Sequence, residues 1–143
     1  MTDIDPETAI KVYIAAPHEQ VYIAQSWTRS LYHQGIMTTS SWTELSDFEL
    51  SHFSDSQLHE LANACLRDIN KCHVLVLLNS KEWRSKGTGG RHVEVGWAMA
   101  QSKPVIVYGD RSNLFHYRST VFHLEAPGDL AKKIISVHIE FYK

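Results

Sequence analysis

The sequence predicts an α/β sandwich built on a parallel sheet. Apolar, β-branched runs alternate with stretches of helical period. Two of these runs, Val74-Leu75-Val76-Leu77-Leu78 and Pro104-Val105-Ile106-Val107-Tyr108, flank a glycine-rich loop and a helix, which makes a βαβ unit. The whole order, β-α-β-α-β-α-β-β-α, is that of a sheet with helices packed against it.

A chain of 143 residues suits a single domain, here residues 10–143, after a polar and flexible stretch at 1–9. Fourteen Lys and Arg against sixteen Asp and Glu leave a net charge of −2, which argues against a nucleic-acid polymer as partner. No apolar run approaches the ~20 residues of a membrane span. The acidic start, Met1-Thr2-Asp3-Ile4-Asp5, lacks a signal peptide's basic and apolar regions. Cys65 and Cys72 read as reduced thiols, and the expected location is cytoplasmic.

The elements follow in order. Residues 10–16 form the first strand, which Pro17 ends. Residues 18–34 form a helix with Val21, Ile23, Ala24, Trp27 and Leu31 on one face, and Gly35 is its C′ residue. Residues 36–42 are a Thr/Ser-rich second strand, and 43–53 an irregular excursion. Ser54-Asp55-Ser56-Gln57 spells a capping box. Leu58, Leu61, Ala62, Cys65, Leu66 and Ile69 follow as an apolar helical stripe, with Asp68 on its edge. Residues 73–79 are the third strand, 91–102 the central helix and 104–108 the fourth strand. Residues 121–124 are a short fifth strand, and Gly128-Asp129 opens a last helix.

The chemistry concentrates in residues 87–98. Gly87, Gly89 and Gly90 let backbone approach a ligand closely, and the helix after them offers free N–H groups. Glu94 falls in that helix's first turn, so it reads either as a catalytic carboxylate or as one that satisfies the helix end. The loop lacks the Lys-Ser/Thr of a P-loop and the spacing of G-x-G-x-x-G. His92-Val93-Glu94 spells the H-x-E of zinc deaminases, but both cysteines lie upstream and no P-C-x-x-C follows. The histidines show no metal-ligand spacing, and no G-x-S-x-G elbow exists.

Three segments then carry a resemblance. They are Val12-Tyr13-Ile14-Ala15-Ala16-Pro17, Asp68-Ile69-Asn70-Lys71-Cys72-His73-Val74-Leu75-Val76, and residues 87–98 followed by Lys103-Pro104-Val105-Ile106. In order and spacing the chain resembles the nucleoside 2-deoxyribosyltransferase family, including its relatives that hydrolyse deoxynucleoside 5′-phosphates. The resemblance implies a flavodoxin-like (Rossmann-like) five-stranded, mostly parallel sheet and cleavage or transfer of the N-glycosidic bond of a nucleoside or its monophosphate. It implies Glu94 as nucleophile and Tyr13 as the group that orients it. Ala16, Trp42, Thr88, Gly89, Gly90 and Arg91 become candidate substrate contacts. Trp42 reads either as a stacking surface for the base or as an anchor for the excursion. Asn113 is expected to reach a neighbouring subunit's pocket, which implies a homodimer or larger homo-oligomer. The mechanism calls for no metal and no organic cofactor.

One departure stands out. The family's aspartate on the second helix is replaced by Cys65, and the one opening the third strand by His73. A thiol does not handle a proton as a carboxylate does. Asp68, one turn on from Cys65, is either a stand-in catalytic group or a surface carboxylate. A rival reading is therefore a non-catalytic nucleotide-binding module with the same pocket.

Overall fold

The computed structural model describes residues 3–79 and 89–143. Five strands, β1 (Lys11–Ala15), β2 (Met37–Thr38), β3 (Val74–Asn79), β4 (Val105–Gly109) and β5 (Val121–Leu124), form one sheet in the order β2-β1-β3-β4-β5. Every pairing is parallel. The α-helices among the described residues are α1 (Val21–His33), α2 (Asp47–Ser51), α3 (Asp55–Lys71), α4 (Gly90–Ala100) and α5 (Leu130–Phe141). This is the flavodoxin-like strand order, in which the order of strand addition reverses between β1 and β3.

β3 is buried along its whole length, as a central parallel strand covered on both faces must be. Val12, Ile14, Val76, Leu77, Ile106 and Val107 are completely buried, and burial stabilises each by about 1.5–3 kcal/mol. Trp27 of α1 packs edge-on against Tyr108 of β4. α3 and α4 pack side by side, so the helix carrying Cys65 meets the one carrying Glu94.

The ends of the helices follow their residues. Ser54 Oγ accepts the Gln57 N–H while Gln57 Oε1 accepts the Ser54 N–H, so the expected capping box forms. Gly35, at φ +82°, closes α1 in a Schellman motif: Ile36 N–H donates to Leu31 O and Gly35 N–H to Tyr32 O.

Several elements differ from the sequence expectation. Residues 18–20 are a 3₁₀ turn, and α1 starts only at Val21. The second strand shrinks to Met37–Thr38. A 3₁₀ turn at Ser41–Glu44 takes over, where the Thr43 hydroxyl bonds Ser40 O. The excursion contains α2, opened by a second capping box between Ser46 and Glu49. Residues 5–9 form a hydrogen-bonded turn that brings Ala9 to the core edge.

Candidate active site

A cavity of about 620 Å³ opens beyond the carboxyl end of β1. Open parallel sheets bind ligands at this kind of place, because strand ends and helix starts converge without side chains to fill the gap. Its walls differ. Trp42, Leu50, Leu58, Leu61, Ala62 and Leu66 make one side apolar. The segment after β1 (Ala16, Pro17, His18, Glu19) and the start of α4 (Gly89, Gly90, Arg91) bring backbone and charged groups to the lining, with Cys65, Val93 and Glu94.

Tyr13 sits mid-strand in β1, fully buried, and its hydroxyl donates to Glu94 Oε2. α4 begins at Gly90, so Glu94 lies in its second turn rather than its first, and no acidic residue occupies that first turn. The helix-end reading of Glu94 therefore fails, since the dipole's pull fades within one turn. What holds Glu94 is Tyr13, from 81 residues away in the chain.

Burial raises the Glu94 carboxyl from 4.5 to about 7; the Tyr13 hydrogen bond pulls against this and the nearby Asp68 charge adds to it. Burial first, then the Glu94 charge and the Cys65 thiol, holds the Tyr13 hydroxyl far above its ordinary range, so it stays a donor. The Cys65 thiol reaches the same hydroxyl and is itself pushed by burial up to about 11, so it is a neutral S–H near pH 7. Cys65 and Cys72 are both free thiols.

The other sequence candidates are placed unevenly. Trp42 both lines the cavity and anchors its segment, since Nε1–H donates to Ile14 O at 2.8 Å. Gly89 adopts φ +91°, which glycine takes at little cost, and it turns the chain into α4 at the cavity edge. Arg91 is buried and lines the cavity; its Nε–H donates to Asn79 Oδ1 at 3.3 Å. Burial lowers the guanidinium's pKa, and the Glu19 charge opposes that.

Asp68 does not line the cavity. Its Oδ2 accepts from Ser41 N–H at 3.1 Å and Ser41 Oγ at 2.5 Å, so it ties α3 to the turn that leads into Trp42. Asn113 caps its own 3₁₀ turn: Oδ1 accepts the Phe115 N–H at 3.0 Å, and Nδ2 lies 3.3 Å from His116 Nε2. It does not line the cavity. Thr88 and Gly87 lie outside the described residues. Among the described residues no three His, Cys, Asp or Glu converge as a metal site, and no helix is long and apolar enough to cross a membrane.

Two residues of the site went unread in the sequence. Asn79 ends β3, completely buried, and its Nδ2 donates to Asp110 O and Ser112 Oγ while Oδ1 holds Arg91. A polar residue closing an apolar strand was the available signal. Glu19 was absorbed into the helix expected at 18–34; Pro17 directly after a strand was the hint that a turn intervenes.

No family model and no curated protein sequence matches the chain. Solved structures do. The fold is similar to that of a 2-deoxyribosyltransferase from Bacillus psychrosaccharolyticus, with a TM-score of 0.62 and 17% identity over 85% of this chain and 90% of that one. It is similar also to the CMP N-glycosidase of Clostridium botulinum, with a TM-score of 0.54 and 17% identity over 88% of this chain and 98% of that one. The chain thus has the five-stranded α/β fold of a 2-deoxyribosyltransferase and an N-glycosidase, and the architecture implied by its sequence resemblance is the one it adopts.

Proposed function

We infer that this protein cleaves or transfers the N-glycosidic bond of a (deoxy)nucleoside or its 5′-monophosphate, with Glu94 as nucleophile. One observation carries the reading: a buried tyrosine–glutamate hydrogen bond faces a cavity that is apolar on one side and polar on the other. The apolar side, with Trp42, suits a flat base, and the polar side suits a sugar. The fold shared with a 2-deoxyribosyltransferase and a CMP N-glycosidase supports the same chemistry.

The proposed reaction has two steps. A Glu94 oxygen attacks the anomeric carbon as the C–N bond breaks; the bonding pair leaves with the base nitrogen, which takes up a proton. The opposed carboxylate stabilises the cationic anomeric centre and then traps it as a glycosyl ester. Water, or a nitrogen of a second base, attacks the ester and restores the carboxylate. Tyr13 orients Glu94 and favours its ionised form. Asp68 holds the Ser41 turn, and with it the Trp42 wall, and its charge acts on Glu94 from behind. The active form is a homo-oligomer, a state supported by the exposure of Leu114, Phe115 and Tyr117 on one loop.

The test is a panel of deoxynucleosides and deoxynucleotides, with and without a second free base, assayed for base release or exchange. Release or exchange that Glu94→Ala abolishes supports the reading; turnover that survives in that variant removes Glu94 as nucleophile. A second reading, binding without turnover, is favoured by one observation. The α3 wall of the cavity presents Leu58, Leu61, Ala62, Cys65 and Leu66, with no carboxylate to serve the leaving base. Binding of panel members without release or exchange identifies that case.

A further inference from the structure

We propose that Glu19 takes the 5′-hydroxyl of an unphosphorylated nucleoside, so that the cavity accepts nucleosides and rejects their 5′-monophosphates. The inference rests on the N-glycosidic reading above and narrows its substrate class.

Glu19 lies in the 3₁₀ turn His18–Gln20, immediately beyond the carboxyl end of β1, and lines the cavity. Its Oε1 is buried and accepts no hydrogen bond from the described residues. Native proteins rarely leave a buried carboxylate oxygen without a donor, and in a cavity wall the missing donor belongs to the ligand. Arg91 lines the same cavity, where the Glu19 charge already offsets its own, and its Nε–H donates to Asn79 Oδ1. Together they set one positive and one negative side chain in the lining.

The chemistry of the two substrate classes separates there. A 5′-hydroxyl is a donor and satisfies Glu19. A 5′-phosphate carries about −1.5 to −2 charges near pH 7 and, fully ionised, has acceptor oxygens only, so it meets the carboxylate with repulsion and no hydrogen bond. Distance along α4 agrees. Arg91 and Glu94 are three residues apart on one helix face, about 4.5 Å along the axis. That is the scale of a furanose ring, so an anomeric carbon at Glu94 places the sugar's far side by Arg91 and Glu19. The base is left for the apolar wall at Trp42, Leu58 and Leu61.

The test is titration calorimetry of the wild type and of the isosteric Glu19→Gln and the truncated Glu19→Ala with the four 2′-deoxynucleosides and their 5′-monophosphates. The expected result is that the wild type binds at least one nucleoside roughly tenfold or more tightly than its monophosphate. Glu19→Gln, with the charge gone, brings that pair to within about threefold of each other. A 5′-deoxy analogue of the same nucleoside binds the wild type about tenfold more weakly than the parent and binds Glu19→Ala equally well. Monophosphates bound as tightly as nucleosides, a ratio unchanged in Glu19→Gln, or no binding of any panel member overturns the assignment. Base release assayed on the same samples separates the two claims. The expected binding pattern without release leaves Glu19 standing and removes the catalytic reading. Release without 5′ discrimination does the reverse.

Discussion

Tyr13→Phe isolates the interaction on which the site depends. The substitution removes one hydroxyl from a fully buried ring and leaves the ring's packing in β1 in place. It deletes the hydrogen bond to Glu94 Oε2. That bond favours the ionised carboxylate, against the burial that raises Glu94 to about 7. A hydrogen bond to a charged group is worth about 1.5–3 kcal/mol, and one pKa unit is about 1.4 kcal/mol, so losing it raises the Glu94 pKa by roughly one to two units. A nucleophile must be ionised, so kcat/KM in the wild type climbs through pH ~7 and levels above it. In the variant the climb moves to higher pH by that interval. Near pH 7, where the wild-type carboxylate is already half protonated, the rate falls about fivefold to fiftyfold, and much of the loss returns in alkaline buffer. The assay is kcat/KM against pH for both proteins on one substrate of the panel. A rising limb that stays at the wild-type pH, whatever the height of the curve, refutes the claim that Tyr13 tunes Glu94.

Further outcomes follow from the same site. Glu94→Gln is expected to lack turnover yet to unfold at a higher temperature than the wild type above pH 7. The native state keeps a proton on Glu94 that the unfolded chain has released between pH 4.5 and about 7, so wild-type stability falls across that window by up to about 3 kcal/mol. Equal melting temperatures at pH 8 count against a destabilising charge at Glu94. Cys65→Asp is expected to lower the melting temperature of the empty protein and to raise turnover, with nucleoside restoring part of the stability; unchanged rates mean that no carboxylate is needed on α3. Asp68→Ala removes the acceptor for Ser41 N–H and Oγ and is expected to cost about 1–3 kcal/mol in denaturant unfolding, and an unaffected midpoint denies the tether any weight. Light scattering is expected to give a dimer or larger, and a fully active monomer excludes a shared site.

Much of the fold is written in local pattern. β3 and β4 are legible because central parallel strands need unbroken apolar runs, and α3 because its stripe and capping box agree. α2 is hidden because five residues are too few for a helical period, although Ser46-x-x-Glu49 carried its cap. β5 is half-buried at a sheet edge, and four residues do not fix its direction; pairing with β4 does. In the site, Glu94 and Tyr13 were legible as a pair only through family resemblance, since no periodicity links residues 81 apart. Asp68 offered two readings, and its bonds to Ser41 decide where it points. Glu19 was obscured by its helix-forming neighbours; the 3₁₀ turn that aims it at the cavity arises from tertiary context.

Asn79 gives the cavity an uneven capacity for change. Its one side chain ties the ends of β3 and β4 together and fixes Arg91, so the polar rim is wired into the sheet. Leu50, Leu58 and Leu61 line the same cavity from α2 and α3. If the base lies against these side chains, as proposed, its recognition is adjustable one residue at a time, by mutation or by an engineer. Recognition at the other end behaves as a single component: exchanging Arg91 orphans Asn79, and exchanging Asn79 loosens two strands. On the proposed function, new base specificities are then within short mutational reach, and a new reading of the sugar requires replacement of several residues together.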